Sequence, residues 1–347
     1  MLVDSPPESR AELASASPTR RVTRALGLLV SLLTLALVAL ASIAIGAKGL
    51  SPAQVWHGLF HDSGTYADVV VGDRLARTAL GLLAGAALGL SGAVLQALTR
   101  NPLADPGLLG INAGASAAVV TAITYFGVTS LSGYVWFAFL GAAAVGALVW
   151  FLGGSRGATP VRLALAGTAI SAALYGYLQA VMITDDAALG KMRFWTVGSL
   201  ASATDSTITQ VLPFLLAGTV VALAVARPLN AVAMGDDTAR ALGADLDRTR
   251  ALSMAAATVL CGAATAACGP IAFVGLMVPH AVRSFTGPDL RWILPYAAVL
   301  SPVLLLGADV LGRVVARPAE LQVGIVTAVI GGPVFIFLVR RRRTAQL

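Results

Sequence analysis

Charge is scarce in this chain. Only 12% of its 347 residues are Asp, Glu, Lys or Arg, about half the share of an ordinary soluble domain, which excludes a simple water-soluble globule. Lysine is scarcer still: Lys48 and Lys191 stand against 22 arginines. A nucleotide-binding P-loop needs Gly-Lys-Ser/Thr, because the lysine reaches the phosphates and the hydroxyl holds magnesium. Lys48 is followed by Gly49 and Lys191 by Met192, so this chain is not an ATPase. Its histidines are His57, His61 and His280, and no His-Glu-x-x-His run occurs, which argues against an intramembrane metalloprotease. His57 and His61 have a spacing that could share a metal, but both fall in a predicted outer loop and read as surface residues. Cys261 and Cys268 lie in an apolar stretch and read as small buried hydrophobes, not as a disulfide framework. Of the 17 acids, only Asp309 falls in the interior of a predicted span, Asp73 standing at the first position of one. It precedes Arg313 by one helical turn, so a local ion pair accounts for it. A proton-coupled carrier would need a carboxylate free in the membrane.

What the chain has in abundance is Leu, Ala, Val and Gly, in runs near the ~20 residues that a helix needs to cross about 30 Å of hydrocarbon. Short alternating segments, the mark of a spanning strand barrel, are not seen. The pattern predicts an all-α membrane protein with about ten transmembrane helices, near 25–47, 73–99, 107–127, 134–153, 160–183, 207–226, 250–268, 271–286, 293–313 and 323–340. Gly269-Pro270 divides the seventh from the eighth, since proline removes a backbone donor. Residues 1–24, rich in Ser, Pro, Arg and Glu, read as a disordered tail. Residues 25–340 form the transmembrane domain and 341–347 a second tail. The first apolar run is too long for a signal-peptide core and reads as a retained helix. With both ends placed in the cytoplasm, 17 basic residues face inward and 7 outward, in accord with the positive-inside rule. The basic excess therefore reflects a lipid bilayer and needs no nucleic acid. The run Arg340 to Arg343 suits anionic headgroups.

Several features point to transport. Pro102, Ala104, Gly107, Leu108 and Ala113 recur 168 residues later as Pro270, Ala272, Gly275, Leu276 and Ala281, with opposite predicted orientation, as in transporters built from inverted repeats. In the fifth helix Thr168, Ser171, Tyr175 and Gln179 share one face. Lipid would leave their polar groups unsatisfied, so that face meets either a neighbouring helix or a water-filled path. It carries no soft or acidic ligand, so a bare metal ion would find none, and a large hydrogen-bonding solute fits better. The longest inner connection, about 227–250, contains Gly235, Asp236, Asp237, Ala239, Arg240, Leu242 and Gly243. The aspartates favour a helix start and Gly243 a helix end, so the segment reads as a short helix fit to dock a soluble partner, or as a solvated loop. Arg74, Arg77 and Arg313 fall near outer helix ends. They either snorkel to headgroups or receive acidic groups of an external partner.

These segments carry a family resemblance. The run Arg100-Asn101-Pro102-Leu103-Ala104-Asp105-Pro106-Gly107-Leu108-Leu109-Gly110-Ile111 resembles a signature of the FecCD-type permeases, the membrane subunits of importers for iron–siderophore complexes, haem and vitamin B12. So does Gly269-Pro270-Ile271-Ala272-Phe273-Val274-Gly275-Leu276-Met277-Val278-Pro279-His280. Leu229 to Gly235, with Ala239-Arg240, resembles the family's ATPase-coupling loop, and Gly287-Pro288-Asp289 and Glu320 to Thr327 resemble further segments. Ala76 stands between the paired arginines where proline is frequent, and Gln322 replaces a common proline. The resemblance implies a type II ABC importer permease of ten helices that pairs with a second permease chain, identical or homologous. It implies two cytoplasmic ABC ATPase subunits at the coupling loop, which hold ATP and magnesium, and no cofactor on this chain. It also implies an extracytoplasmic substrate-binding protein at Arg74, Arg77 and Arg313, and a central translocation path for a ferric siderophore, along which the fifth-helix stripe is expected to lie unless it packs on a neighbouring helix. Haem or cobalamin is the alternative cargo. An ion-coupled carrier acting alone is the competitor from another class, and an intramembrane enzyme a third.

Overall fold

The computed structural model describes residues 18–61, 64–128, 130–154 and 160–344. Among them every regular element is helical. In chain order these are α1 (Pro18–Ala44), α2 (Pro52–Phe60), α3 (Tyr66–Leu98), a 3-10 turn at Pro106–Leu109, α4 (Ile111–Phe126), α5 (Leu131–Gly154), α6 (Pro160–Thr184) and α7 (Asp186–Trp195). They continue as α8 (Asp205–Ala224), α9 (Ala226–Ala233), α10 (Asp236–Ala241), α11 (Leu246–Cys268), α12 (Val274–Thr286), α13 (Leu290–Val315) and α14 (Val323–Thr344).

All ten predicted segments hold a helix, but length separates them. Among the described residues seven helices are long and apolar enough to cross a membrane: α1, α3, α5, α6, α8, α11 and α13. The apolar stretches of α4 and α14 are shorter. The 13 residues of α12 rise only about 20 Å at 1.5 Å per residue.

Several boundaries differ from the sequence reading. Helix α1 begins at Pro18, so 18–24 belong to it and only 1–17 of the expected tail lie outside the described residues. Proline is at home in a first helical turn, and Tyr296 from α13 donates its hydroxyl to the Arg24 carbonyl (2.6 Å). Helix α3 starts at Tyr66, behind a Thr65/Asp68 capping box, so Arg74 and Arg77 sit inside it rather than at its mouth. Helix α14 runs to Thr344, leaving 345–347 outside the described residues. The predicted outer loop contains α2, set by a Ser51/Gln54 capping box.

The core is built around α3 and α11. In each, 78% of the central apolar window is buried, against 11% in α1 and 17% in α6. Helix α3 can be central because one side of it lacks side chains. A Cβ on Gly85 would lie 2.6 Å from Pro302 Cα, one on Gly89 would lie 2.6 Å from the Ala297 carbonyl oxygen, and one on Gly92 would run into the Gly275 carbonyl. Small residues of this kind let membrane helices approach to backbone contact. The two copies of the internal repeat meet here. They start their helical segments in register, at Pro106 and Val274, and a Cβ on Gly275 would lie 3.3 Å from Pro106 Cδ.

Helix ends follow local chemistry. Gly269, at φ 73°, stops α11, its N–H bonding the Thr265 carbonyl. The connection after α8 resolves into two helices, α9 and α10. Asp236 opens α10, and Gly243 follows it at φ 77° with its N–H on the Arg240 carbonyl. Both ends of α10 match the sequence reading.

Candidate functional site

Polar groups gather at the two ends of α3. At its N-terminal end, Arg77 grips Asp309 with two nitrogens, Nε to Oδ2 at 3.0 Å and Nη2 to Oδ1 at 2.7 Å. Its third nitrogen bonds Glu320 (2.7 Å). Asp309 also pairs with Arg313 (2.9 Å), and both side chains are sealed from water. Arg313 donates to the Ser42 and Ile45 carbonyls and to the Ser42 hydroxyl. Arg74 donates to the carbonyls of Ile43, Ala44 and Lys48. Helix α1 ends in this region, where its last carbonyls lack intrahelical partners, and the arginines supply donors. A cavity of about 330 Å³ opens beside the cluster, lined by Lys48, Asp73, Arg77 and Glu320 among others.

The expected Asp309–Arg313 pair is present, with Arg77 as an additional partner. The docking arginines are brought together, but most of their donors are committed inside the chain. Arg74 and Arg313 are buried and hold α1, so they present no free guanidinium. Helix α3 begins earlier than its hydropathy suggested, which draws both of its arginines into the protein.

At the C-terminal end of α3 the charges are wetter. Asp236 accepts from Arg100 and from Arg250, the latter at 2.7 Å. Arg100 also donates to the Val232 carbonyl of α9 (2.8 Å). The bond from Arg100, and then that from Arg250, hold the Asp236 carboxyl below its ordinary range against some desolvation. Asn230 of α9 donates to Asp289 (2.7 Å) and accepts from the Leu290 N–H (2.9 Å) at the start of α13. Burial would raise the Asp289 carboxyl, but bonds from Arg291 and Asn230 outweigh it and hold the group low.

The predicted docking residues divide between two sides of α10. Asp237, Arg240, Leu242 and Gly243 are exposed, Gly235 and Asp236 are half-buried, and Ala239 is fully enclosed. Ala239 therefore packs α10 onto the protein and cannot touch a partner. Arg240 pairs with Asp237 (3.2 Å) on the open side, flanked by exposed Leu242 and Met234.

On α6, Thr168, Tyr175 and Gln179 are exposed and Ser171 is half-buried. Thr168 and Ser171 return their hydroxyl protons to the carbonyls of Ala164 and Gly167, so neither requires an outside partner. Thr168 lines a cavity of about 360 Å³ with Val161 and Ala164, facing Thr99, Asn101 and Asp105. Burial pushes the Asp105 carboxyl up to about 6, opposed by the Gly107 N–H. Sequence reasoning assigned no chemistry to Asp105, Arg100, Asn230, Arg250 or Glu320. Only the quoted signature segments signalled the first three and Glu320.

His57 and His61 stack at 4.8 Å, and His57 faces Asp68 at 3.5 Å. Both cysteines are buried and free. Among the described residues no group of three or more His, Cys, Asp or Glu is placed to hold a metal ion.

Comparison with known proteins places these features. The chain is 48% identical over 326 residues to the ferric enterobactin transport system permease protein FepD of Escherichia coli, covering 92% of this chain and 97% of that one. It is 37% identical to the probable siderophore transport system permease protein YfiZ of Bacillus subtilis, covering 90% and 95%. Relatives named for hemin and cobalamin stand at 37% and 39% identity. A solved structure of a metal-chelate type ABC transporter in an inward-facing conformation superposes with a TM-score of 0.79 at 28% identity, covering 90% of this chain and 98% of that one. The model of the FecCD transport family matches residues 33–341. With seven helices fit to cross a membrane, this is a multi-pass membrane protein, and it belongs to the FecCD transport family.

Proposed function

We propose that the chain is the permease subunit of an ABC importer that moves a ferric siderophore across the cytoplasmic membrane by alternating access. One observation carries the path: α6 is apolar enough to cross a bilayer, yet it exposes Thr168, Tyr175 and Gln179. A lipid-facing helix has no use for such a face. These groups carry no charge and two of the three hydroxyls on the stripe are already satisfied internally, so the solute slides past without being gripped. The ferric enterobactin relative at 48% identity favours a siderophore over haem or cobalamin.

In this reading the chain makes ten crossings with both termini in the cytoplasm, and it pairs with a second permease chain, identical or homologous. Two ATPase subunits, which hold ATP and magnesium, seat on the open side of α10 at Arg240, Asp237 and Leu242. This chain binds no cofactor. A substrate-binding protein approaches the N-terminal end of α3. There Arg77 and Lys48 face the cavity, and Arg74 and Arg313 build the wall behind them.

Reconstitution in proteoliposomes tests the proposal. Radioactive iron supplied as ferric enterobactin should enter only when the ATPase, ATP and the binding protein are present. Ser171→Trp should abolish entry while the subunits still assemble. Uptake that needs only an ion gradient would sink the importer reading in favour of a secondary carrier. Normal uptake by Ser171→Trp would turn the stripe into a packing face.

A further inference from the structure

We infer that Asn230 and Asp236 form a two-point tether that carries movement of the α9–α10 segment into α13 and α3. The inference rests on the reading of α10 as the seat of the ATPase. A helix only six residues long could be pushed by a partner and simply slide over the helix ends beneath it. Whether it slides or takes them along depends on what ties it down.

The first tie is the Asn230 amide. It uses both of its functions at one place, donating to Asp289 and accepting from the Leu290 N–H. Two bonds to the first turn of α13 fix the direction of α9 as well as its distance. The second tie is Asp236, which accepts from arginines on two different elements. Arg250 belongs to α11. Arg100 lies just beyond α3 and is held at φ 50°, a left-handed conformation that non-glycine residues adopt only where their surroundings over-determine it. Its bonds to Asp236 and to the Val232 carbonyl provide that determination, and join α9, α10 and the end of α3 in one contact. A single exposed ion pair holds weakly, but bonds from several directions oppose sliding in each of them.

The two helices so tied are the two that meet again at the far end. Arg77 lies on α3, and Asp309 and Arg313 lie on α13. Displacement delivered through α9–α10 therefore enters the helix pair that is locked together at its opposite end. Both Asn230 and Asp236 act as positioning residues, touching no solute.

The test measures iron moved per ATP hydrolysed in proteoliposomes holding the complete transporter, with ferric enterobactin as the probe. Asn230→Asp turns the amide donor into a second carboxylate facing Asp289. It should lower the ratio about tenfold, within the range that coupling mutations span. Adding Asp289→Asn restores a donor and an acceptor with their roles exchanged, and should bring the ratio back to within about threefold of the wild type. Asp236→Asn should lower the ratio in the same sense. An unchanged ratio in Asn230→Asp overturns the tether, as does a loss that Asp289→Asn does not repair. Loss of the ATPase from the purified complex of any variant also overturns it, because those residues would then shape the docking surface and transmit nothing. Wild-type uptake that proceeds without the ATPase removes instead the reading on which the tether stands.

Discussion

At the N-terminal end of α3, Asp309 has 0% and Arg313 2% of its side chain in water, whereas at the C-terminal end Asp236 keeps 34%. Both clusters consist of carboxylates shared between arginines, yet burial makes them different devices. A sealed pair resists breaking, because the surviving charge would be left uncompensated in a medium of low dielectric. A half-wet pair exchanges its partner for water at small cost. One end of the helix pair is thus a fixed joint and the other a joint that can be worked.

The sharpest way to break the comparison is Asp309→Asn, which strips both Arg77 and Arg313 of their common carboxylate. It should cost about 3–5 kcal/mol, read as a fall in unfolding temperature of the purified chain in detergent and as poor accumulation in membranes. An unfolding temperature within a degree of the wild type would mean that the fixed joint holds nothing. Next in size is Gly92→Leu, between the two clusters and nearer the C-terminal one. The side chain would meet the Gly275 carbonyl, and overpacking should cost about 1–3 kcal/mol by the same measurement. A stable variant would show that α3 and α12 separate readily.

Asp236→Asn should lower stability by less than about 1 kcal/mol while hydrogen exchange across 235–243 accelerates. A large stability loss would make the two ends alike. The smallest effect is on pH. Asp236 is held below its ordinary carboxyl range, so its folded form prefers to be ionised. Its contribution is complete above the unfolded value of about 3.9 and is lost as pH falls through the lower folded value. A fluorophore on Leu242→Cys should therefore keep its anisotropy from neutral pH down to about 4, and gain mobility only below it. Loosening near neutral pH would show that some other group governs α10.

Sequence made much of this legible for local reasons. Apolar runs near 20 residues place the spanning helices, and Gly269-Pro270 separates α11 from α12. Asp236 and Gly243 mark the ends of α10 because caps depend on a few neighbouring residues. What stayed hidden depends on distant parts of the chain. Hydropathy placed Arg74 and Arg77 at the mouth of a helix, because what encloses them comes from α1, α13 and the loop that carries Glu320. Ala239 stands in a polar stretch, and only the packing of α10 onto the bundle turns it inward. The α6 stripe was readable as a face by its period, but that the face is open followed only from the packing of the other helices.

The Arg77–Asp309 bond spans 232 residues of sequence, and this distance is also an interval of time. A ribosome working at about 5–20 residues per second finishes α3 about 10–40 seconds before it reaches Asp309. Through that interval Arg77 is inside or beside a membrane with no carboxylate from α13 to meet it, while the carbonyls that receive Arg74 are already made. The newborn helix must keep its charged end near the headgroups, as long basic side chains do, and settle into its final depth only when α13 arrives. Assembly of the bundle is thereby ordered, with the helix at its centre made early and locked late.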